Sequence, residues 1–152
     1  MSFWLSKEVF SMIRIKIKLT PLKGGSSLEV NSLLNTGYGS EEPEVLIPVR
    51  VAERLTFWPK LPEDVVIKTY ETPGGISRMH YLADATEIQS IIEDKVSKPI
   101  KCALVISEIE REVLLSDITI SKLEIVIEDA GKGLWRFKDE AKIRASVEPQ
   151  YW

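Results

Sequence analysis

Leu33-Leu34-Asn35-Thr36-Gly37 decides the fold, because it runs an apolar stretch into a turn whose Asn and Gly are both favoured for backbone reasons. Met12 to Leu19 and part of Leu28 to Leu34 alternate apolar and polar residues, the period of half-buried strands. Lys23-Gly24-Gly25-Ser26-Ser27 supplies a turn between them, so the two runs form an antiparallel hairpin whose second strand delivers Asn35. In Arg14-Ile15-Lys16-Ile17-Lys18 the alternation places Ile on the core side and the three cations on a solvated face. Downstream of the turn come a polar loop, Ser40-Glu41-Glu42-Pro43-Glu44, a short buried strand at Val45-Leu46-Ile47, and a brief helix from Pro48 to Leu55 with Pro48 in its first turn.

The rest of the chain is read the same way. Val65 to Thr72 and Ser77 to Ala83 flank Pro73-Gly74-Gly75, a hairpin tip. Thr86 to Ile92, Ile100 to Ser107 and Glu112 to Leu115 are further strands, and Asp117 to Leu123 is a second short helix despite its β-branched residues. Ile125-Val126-Ile127 and Leu134-Trp135-Arg136-Phe137 close the series. One domain over 1–137 is expected, followed by a polar C-terminal tail at 138–152 that frays. A faint internal echo sets Leu33-Leu34-Asn35 beside Leu114-Leu115-Ser116, each ahead of a short helix, which suits a small pseudo-symmetric barrel.

Composition narrows the function classes. The 152 residues carry a net charge of -3 and a pI near 5.3, with cations scattered among acids, so nucleic acid is not an expected partner. No run approaches the roughly 18 apolar residues of a membrane span, and Met1 to Glu8 turns charged before a signal-peptide core develops, which leads to a cytoplasmic expectation and no membrane partner. Cys102 lies in an apolar run and reads as a core thiol rather than a nucleophile, for which His80 is the one available base. His80 has no second ligand beside it, and Glu41, Glu42 and Glu44 lack calcium-loop spacing, so neither a metal nor a cofactor is expected and those glutamates read as a solvated loop. Phe57-Trp58-Pro59 has the aromatic content of a binding platform, although a Trp after a short helix is more often a core cap.

In their order, the Leu-Leu-Asn-Thr-Gly turn, Val45-Leu46-Ile47-Pro48 with its helix, the Gly74-Gly75 hairpin and Val113-Leu114-Leu115-Ser116-Asp117 resemble the retropepsin-like aspartic proteases from Leu28 to about Phe137. The resemblance implies a mainly β, small closed barrel of acid-protease type, with one or two short helices and a flap hairpin. It implies a homodimer with the site on its two-fold axis, each subunit giving one turn, and a peptide or protein substrate in the groove. Asn35, Thr36 and Gly37 occupy the catalytic turn; Thr36 would bond across the dimer and Gly37 would let the backbone approach substrate. Tyr38, Gly39, Gly74, Gly75 and Ile76 are the implied substrate-binding residues, the last three at the flap tip. Phe3, Trp4 and Phe10, with Trp135 and Phe137, are candidates for an intersubunit sheet.

The chain departs from that family at the decisive atom. Asn35 stands where the family has Asp, and an amide has no proton affinity near neutral pH with which to activate water. Ser116, Thr56 and Glu124 stand where related sequences often have Gly, and several losses together fit natural drift better than one engineered change. Three expectations follow: a protease scaffold inactive as it stands, a non-catalytic peptide-binding or dimerisation module, or a subunit that pairs with an Asp-bearing paralogue. Taken alone, Asn35 also fits an ordinary turn residue.

Overall fold

The computed structural model describes residues 12–152. Phe3, Trp4 and Phe10 lie outside them. The elements run β1 (Arg14–Pro21), β2 (Leu28–Leu34), β3 (Glu44–Pro48), α1 (Val49–Arg54), β4 (Val66–Thr72), β5 (Gly75–Ile92), β6 (Lys95–Val96), β7 (Ile100–Ser107), β8 (Val113–Leu115), α2 (Asp117–Lys122), β9 (Ile125–Asp129), β10 (Leu134–Phe137) and β11 (Arg144–Ala145).

Hydrogen bonding follows the order β1-β2-β8-β3-β7-β5, and β5 returns to β1, closing a six-strand barrel. Closure leaves no free barrel edge. Strand β4 stays outside the ring and, among the described residues, pairs only with β5. Alternation fills the interior: Ile15, Ile17 and Leu19 of β1 are buried while Lys16 between them is exposed. The second sheet, β11-β10-β9, adds Trp135 and Phe137 to the same core, their rings edge to face at 5.1 Å.

The pairing pattern maps onto itself by an approximate two-fold. Strand β2 is parallel to β8 as β3 is to β7, and Leu46 faces Leu114 where β3 and β8 cross the axis. Hence Leu33 and Leu34 correspond to Val105 and Ile106, and Asn35 corresponds to Ser107. Pro48 and Ser116 are matching N-caps, and Thr56 and Glu124 match just past the helices, both left-handed at φ 68° and 60°. The echo expected between Leu33-Leu34-Asn35 and Leu114-Leu115-Ser116 is therefore corrected: these runs lie side by side in parallel pairing. Leu114-Leu115-Ser116 is the counterpart of Leu46-Ile47-Pro48.

Four other expectations change. Arg14 is 1% exposed, because its guanidinium grips Glu112 through Nε at 2.7 Å and Nη2 at 3.2 Å, so it does not share the solvated face of Lys16. The runs 77–83 and 86–92 are one strand, β5, whose pairing with β7 shifts register around the left-handed Asp84. Pro48 ends β3 and caps α1 instead of lying in its first turn. The tail is anchored: Val147 N–H donates to Arg14 O, Trp152 N–H to Arg111 O, and Arg144 bonds Asp94 and Glu140.

Candidate functional site

Strand β2 ends at Leu34, and the chain must reverse there to reach β3. Asn35 makes the reversal locally: Gly37 N–H donates to Asn35 Oδ1 at 3.0 Å, and Tyr38 N–H to Asn35 O at 3.0 Å. An amide or carboxylate side chain can accept this bond two residues on, and that capacity favours Asn here. Asn35 N–H donates to Leu115 O, tying the turn to β8. A Cβ on Gly37 would stand 3.3 Å from Asn35 Oδ1, so glycine lets the turn close on its own side chain. With Oδ1 engaged, Nδ2 is buried and meets no acceptor among the described residues.

Ser107, at the equivalent position of the other half, builds the same turn with a hydroxyl. Its Oγ accepts from Ile109 N–H at 3.2 Å and Glu110 N–H at 3.0 Å. That turn brings Glu110 toward the Asn35 turn. Between them lies a cavity of about 360 Å³, lined by Asn35, Gly37, Tyr38 and Glu110, with Leu46 and Leu114 on the pseudo-axis. Met79 and residues 70–73 of the β4–β5 hairpin complete it.

A buried carboxylate stands behind this wall. Glu44, read from the sequence as part of a solvated loop, is 4% exposed at the start of β3. Its Oε1 accepts from Tyr38 Oη at 2.7 Å and Tyr70 Oη at 3.0 Å. The two rings meet edge to face at 6.3 Å. Burial first, and the Glu44 charge second, push both phenols far above their ordinary ionisation range. Tyr70 thereby connects the hairpin to the barrel.

Ser116 is equally integrated. Its φ of -71° asks for no glycine, and its hydroxyl contacts Ser40 Oγ and Thr119 Oγ1, each at 2.9 Å, while accepting from Glu44 N–H at 3.2 Å. The missing glycine at 116 costs the backbone nothing. At Thr56 and Glu124, by contrast, side chains occupy the left-handed region that glycine would enter freely.

Of the residues proposed from the sequence, Asn35, Gly37 and Tyr38 converge on the cavity. Thr36 is exposed beside it, and Gly39 sits against Asp117. Gly74, Gly75 and Ile76 form the hairpin's far end outside the lining; Gly75 has φ 118° and Ile76 is 76% exposed. Trp58 packs against the main core with its ring 5.5 Å from His80, consistent with a core cap. Cys102 is 1% exposed, and burial pushes its thiol up to about 12, so no thiolate nucleophile forms near neutrality. Glu44, Tyr70 and Glu110 were missed. Only Tyr70, on the alternate face of a strand, left a periodic signal; nothing local marked the other two.

Among the described residues no group of three His, Cys, Asp or Glu side chains is placed to hold a metal, and no helix is long and apolar enough to cross a membrane. No protein-family model and no curated protein matches the chain.

Proposed function

We propose that the chain is a retropepsin-like aspartic endopeptidase scaffold that works as a homodimer and has lost hydrolysis at Asn35. The observation that carries this reading is the Asn35-Thr36-Gly37 turn, set at the end of a barrel strand with its side chain lining a cavity under a hairpin. Peptide hydrolysis on such a scaffold needs two carboxylates sharing one proton, one to activate water and one to protonate the carbonyl oxygen. Two subunits of this sequence bring two amides, which accept and donate hydrogen bonds without moving a proton. The groove and flap persist while the general base is gone.

Restoring the carboxylate tests this directly. Asn35→Asp retains the acceptor for Gly37 N–H, so the turn survives, and the dimeric variant should cleave an unfolded protein at acid pH with pepstatin sensitivity while the parent does not. A dimeric Asn35→Asp protein without cleavage would sink the scaffold reading, as would a strictly monomeric chain in sedimentation.

A second reading is favoured by the buried Asn35 Nδ2, which meets no acceptor among the described residues: the chain is a non-catalytic peptide-binding or dimerisation module in which that donor meets a carbonyl of a bound strand. Peptide binding by the unaltered chain, without cleavage and weakened by Asn35→Ala, distinguishes this module from an empty relic. Pairing with an Asp-bearing paralogue remains a variant of the same scheme, and a native pull-down recovering only this chain counts against it.

A further inference from the structure

Resting on the reading that the cavity takes a peptide, we infer that the segment 147–152 is a strap that fixes the cavity's width, with Tyr151 and Trp152 as positioning residues for the bound chain. The cavity is bounded on one side by the Asn35 turn and on the other by Glu110, in the turn that follows Ser107. Strand β2 delivers the first turn. The second lies between β7 and β8, outside the strand ladder, and its tip is loosely packed, with Ile109 70% exposed. Ser107 Oγ fixes that turn's own shape by accepting from Ile109 N–H and Glu110 N–H, which does not set how far the turn stands from Asn35.

The strap reaches both sides. On β2, Asn31 donates from its N–H to Gln150 Oε1 at 2.8 Å and from Nδ2 to Glu148 O at 2.9 Å. Pro149 stands between these two bonds, and its ring fixes φ, so the stretch is stiff. Farther along, Trp152 N–H donates to Arg111 O at 2.9 Å, and Arg111 Cζ lies 5.7 Å from the centroid of the Tyr151 ring. Trp152 is itself held, packed against the main core with Arg54 Cζ 5.9 Å from its ring. Past the turn, Glu112 pairs with Arg14, whose carbonyl accepts from Val147 N–H, so the strap meets this side twice. A second cavity of about 330 Å³, lined by Glu110 and Trp152, lies on the strap's side of the turn. The turn is therefore a partition with open space on both faces, and it relies on its anchors for position. Holding it in place before a peptide arrives removes part of the ordering cost of binding.

The test reads the turn and the cavity separately on the full chain. Tyr151→Ala removes the ring beside Arg111 and Tyr151→Phe keeps it; the residue is 43% exposed, so the core stays intact. An exposed cation–ring contact is worth about threefold in an equilibrium, so amides 108–111 should exchange about threefold faster in Tyr151→Ala, with β7 amides unchanged and Tyr151→Phe at the parent rate. In the Asn35→Asp background, KM for fluorescein-labelled casein should rise about threefold in Tyr151→Ala at constant kcat, because the wall touches peptide and no reacting atom. A merely structural loss would do the reverse, lowering kcat through the folded fraction and leaving KM alone. Unmoved exchange at 108–111, or an unmoved KM in a variant that cleaves, overturns the strap and leaves the protease reading standing. If Asn35→Asp itself does not cleave, the protease reading falls and exchange alone decides the strap: faster exchange at 108–111 sustains it, and an unmoved rate overturns it.

Discussion

The Tyr70–Glu44 hydrogen bond should act as a latch that holds the β4–β5 hairpin against the barrel, and its strength can be worked out. Among the described residues strand β4 pairs only with β5, and Val66 and Ile67 are 49% and 56% exposed, so little else described on that strand presses it down. Tyr70→Phe removes one of the two donors to a buried carboxylate. Bonds to charged groups contribute about 1.5–3 kcal/mol, and the half-buried setting of Tyr70 argues for the lower end, or roughly tenfold in an opening equilibrium. The bond is absent both when the hairpin opens and when the chain unfolds, so amides of the hairpin and of the barrel should each exchange about tenfold faster by mass spectrometry. Tyr38→Phe removes a bond that survives hairpin opening, so barrel amides should accelerate while hairpin amides keep their rate. Hairpin amides unmoved by Tyr70→Phe, or moved equally by Tyr38→Phe, would refute the latch.

Two further outcomes concern the same residues and the helix ends. Both tyrosines hold their protons in the native state beyond the pH of about 10 at which unfolded tyrosines ionise, and burial holds the Cys102 thiol up to about 12 against about 8.5 unfolded. Their contributions are therefore complete below those unfolded values: urea midpoints should start to fall above about pH 8.5, fall faster above about 10, and fall less steeply in Tyr70→Phe; a midpoint constant to pH 11 would contradict this. Glu124→Gly should raise the melting temperature by about 1–4 °C, since relief of a left-handed side chain (about 1–2 kcal/mol) exceeds the extra entropy of an unfolded glycine (about 0.5–1 kcal/mol); Thr56→Gly should gain less, because it also loses the Thr56 Oγ1 bond to Leu55 O, and a lower melting temperature for Glu124→Gly would show that its side chain is not strained.

What the sequence made legible was what neighbours along the chain determine. Alternation fixed the faces of β1 apart from Arg14, and the Asn35 turn declared itself through Asn and Gly, whereas Thr56 and Glu124, left-handed in the structure, were singled out only by the family resemblance. What stayed hidden depends on distant partners. Arg14 looked solvated because Glu112, which makes its burial tolerable, is 98 positions away. Glu44 looked like one of three loop acids because both of its donors are tyrosines brought in by folding. The tail looked loose because Arg144 is held by Asp94, 50 positions upstream. For the candidate site, the Asn35 side of the cavity could be named in advance and the Glu110 side could not, since Ser107 and Asn35 share a geometric role without sharing a residue type.

The matched halves of the barrel also make the molecule its own control. Asn35 and Ser107 face the same backbone demand, as do Thr56 and Glu124, yet only the Asn35 turn belongs to the catalytic motif proposed here. In a saturation library scored for folding alone, paired positions should tolerate similar residues. Scored for peptide binding, their profiles should diverge, and the divergence at each pair would separate what the barrel requires from what the ligand requires, within one chain and without a second protein for comparison.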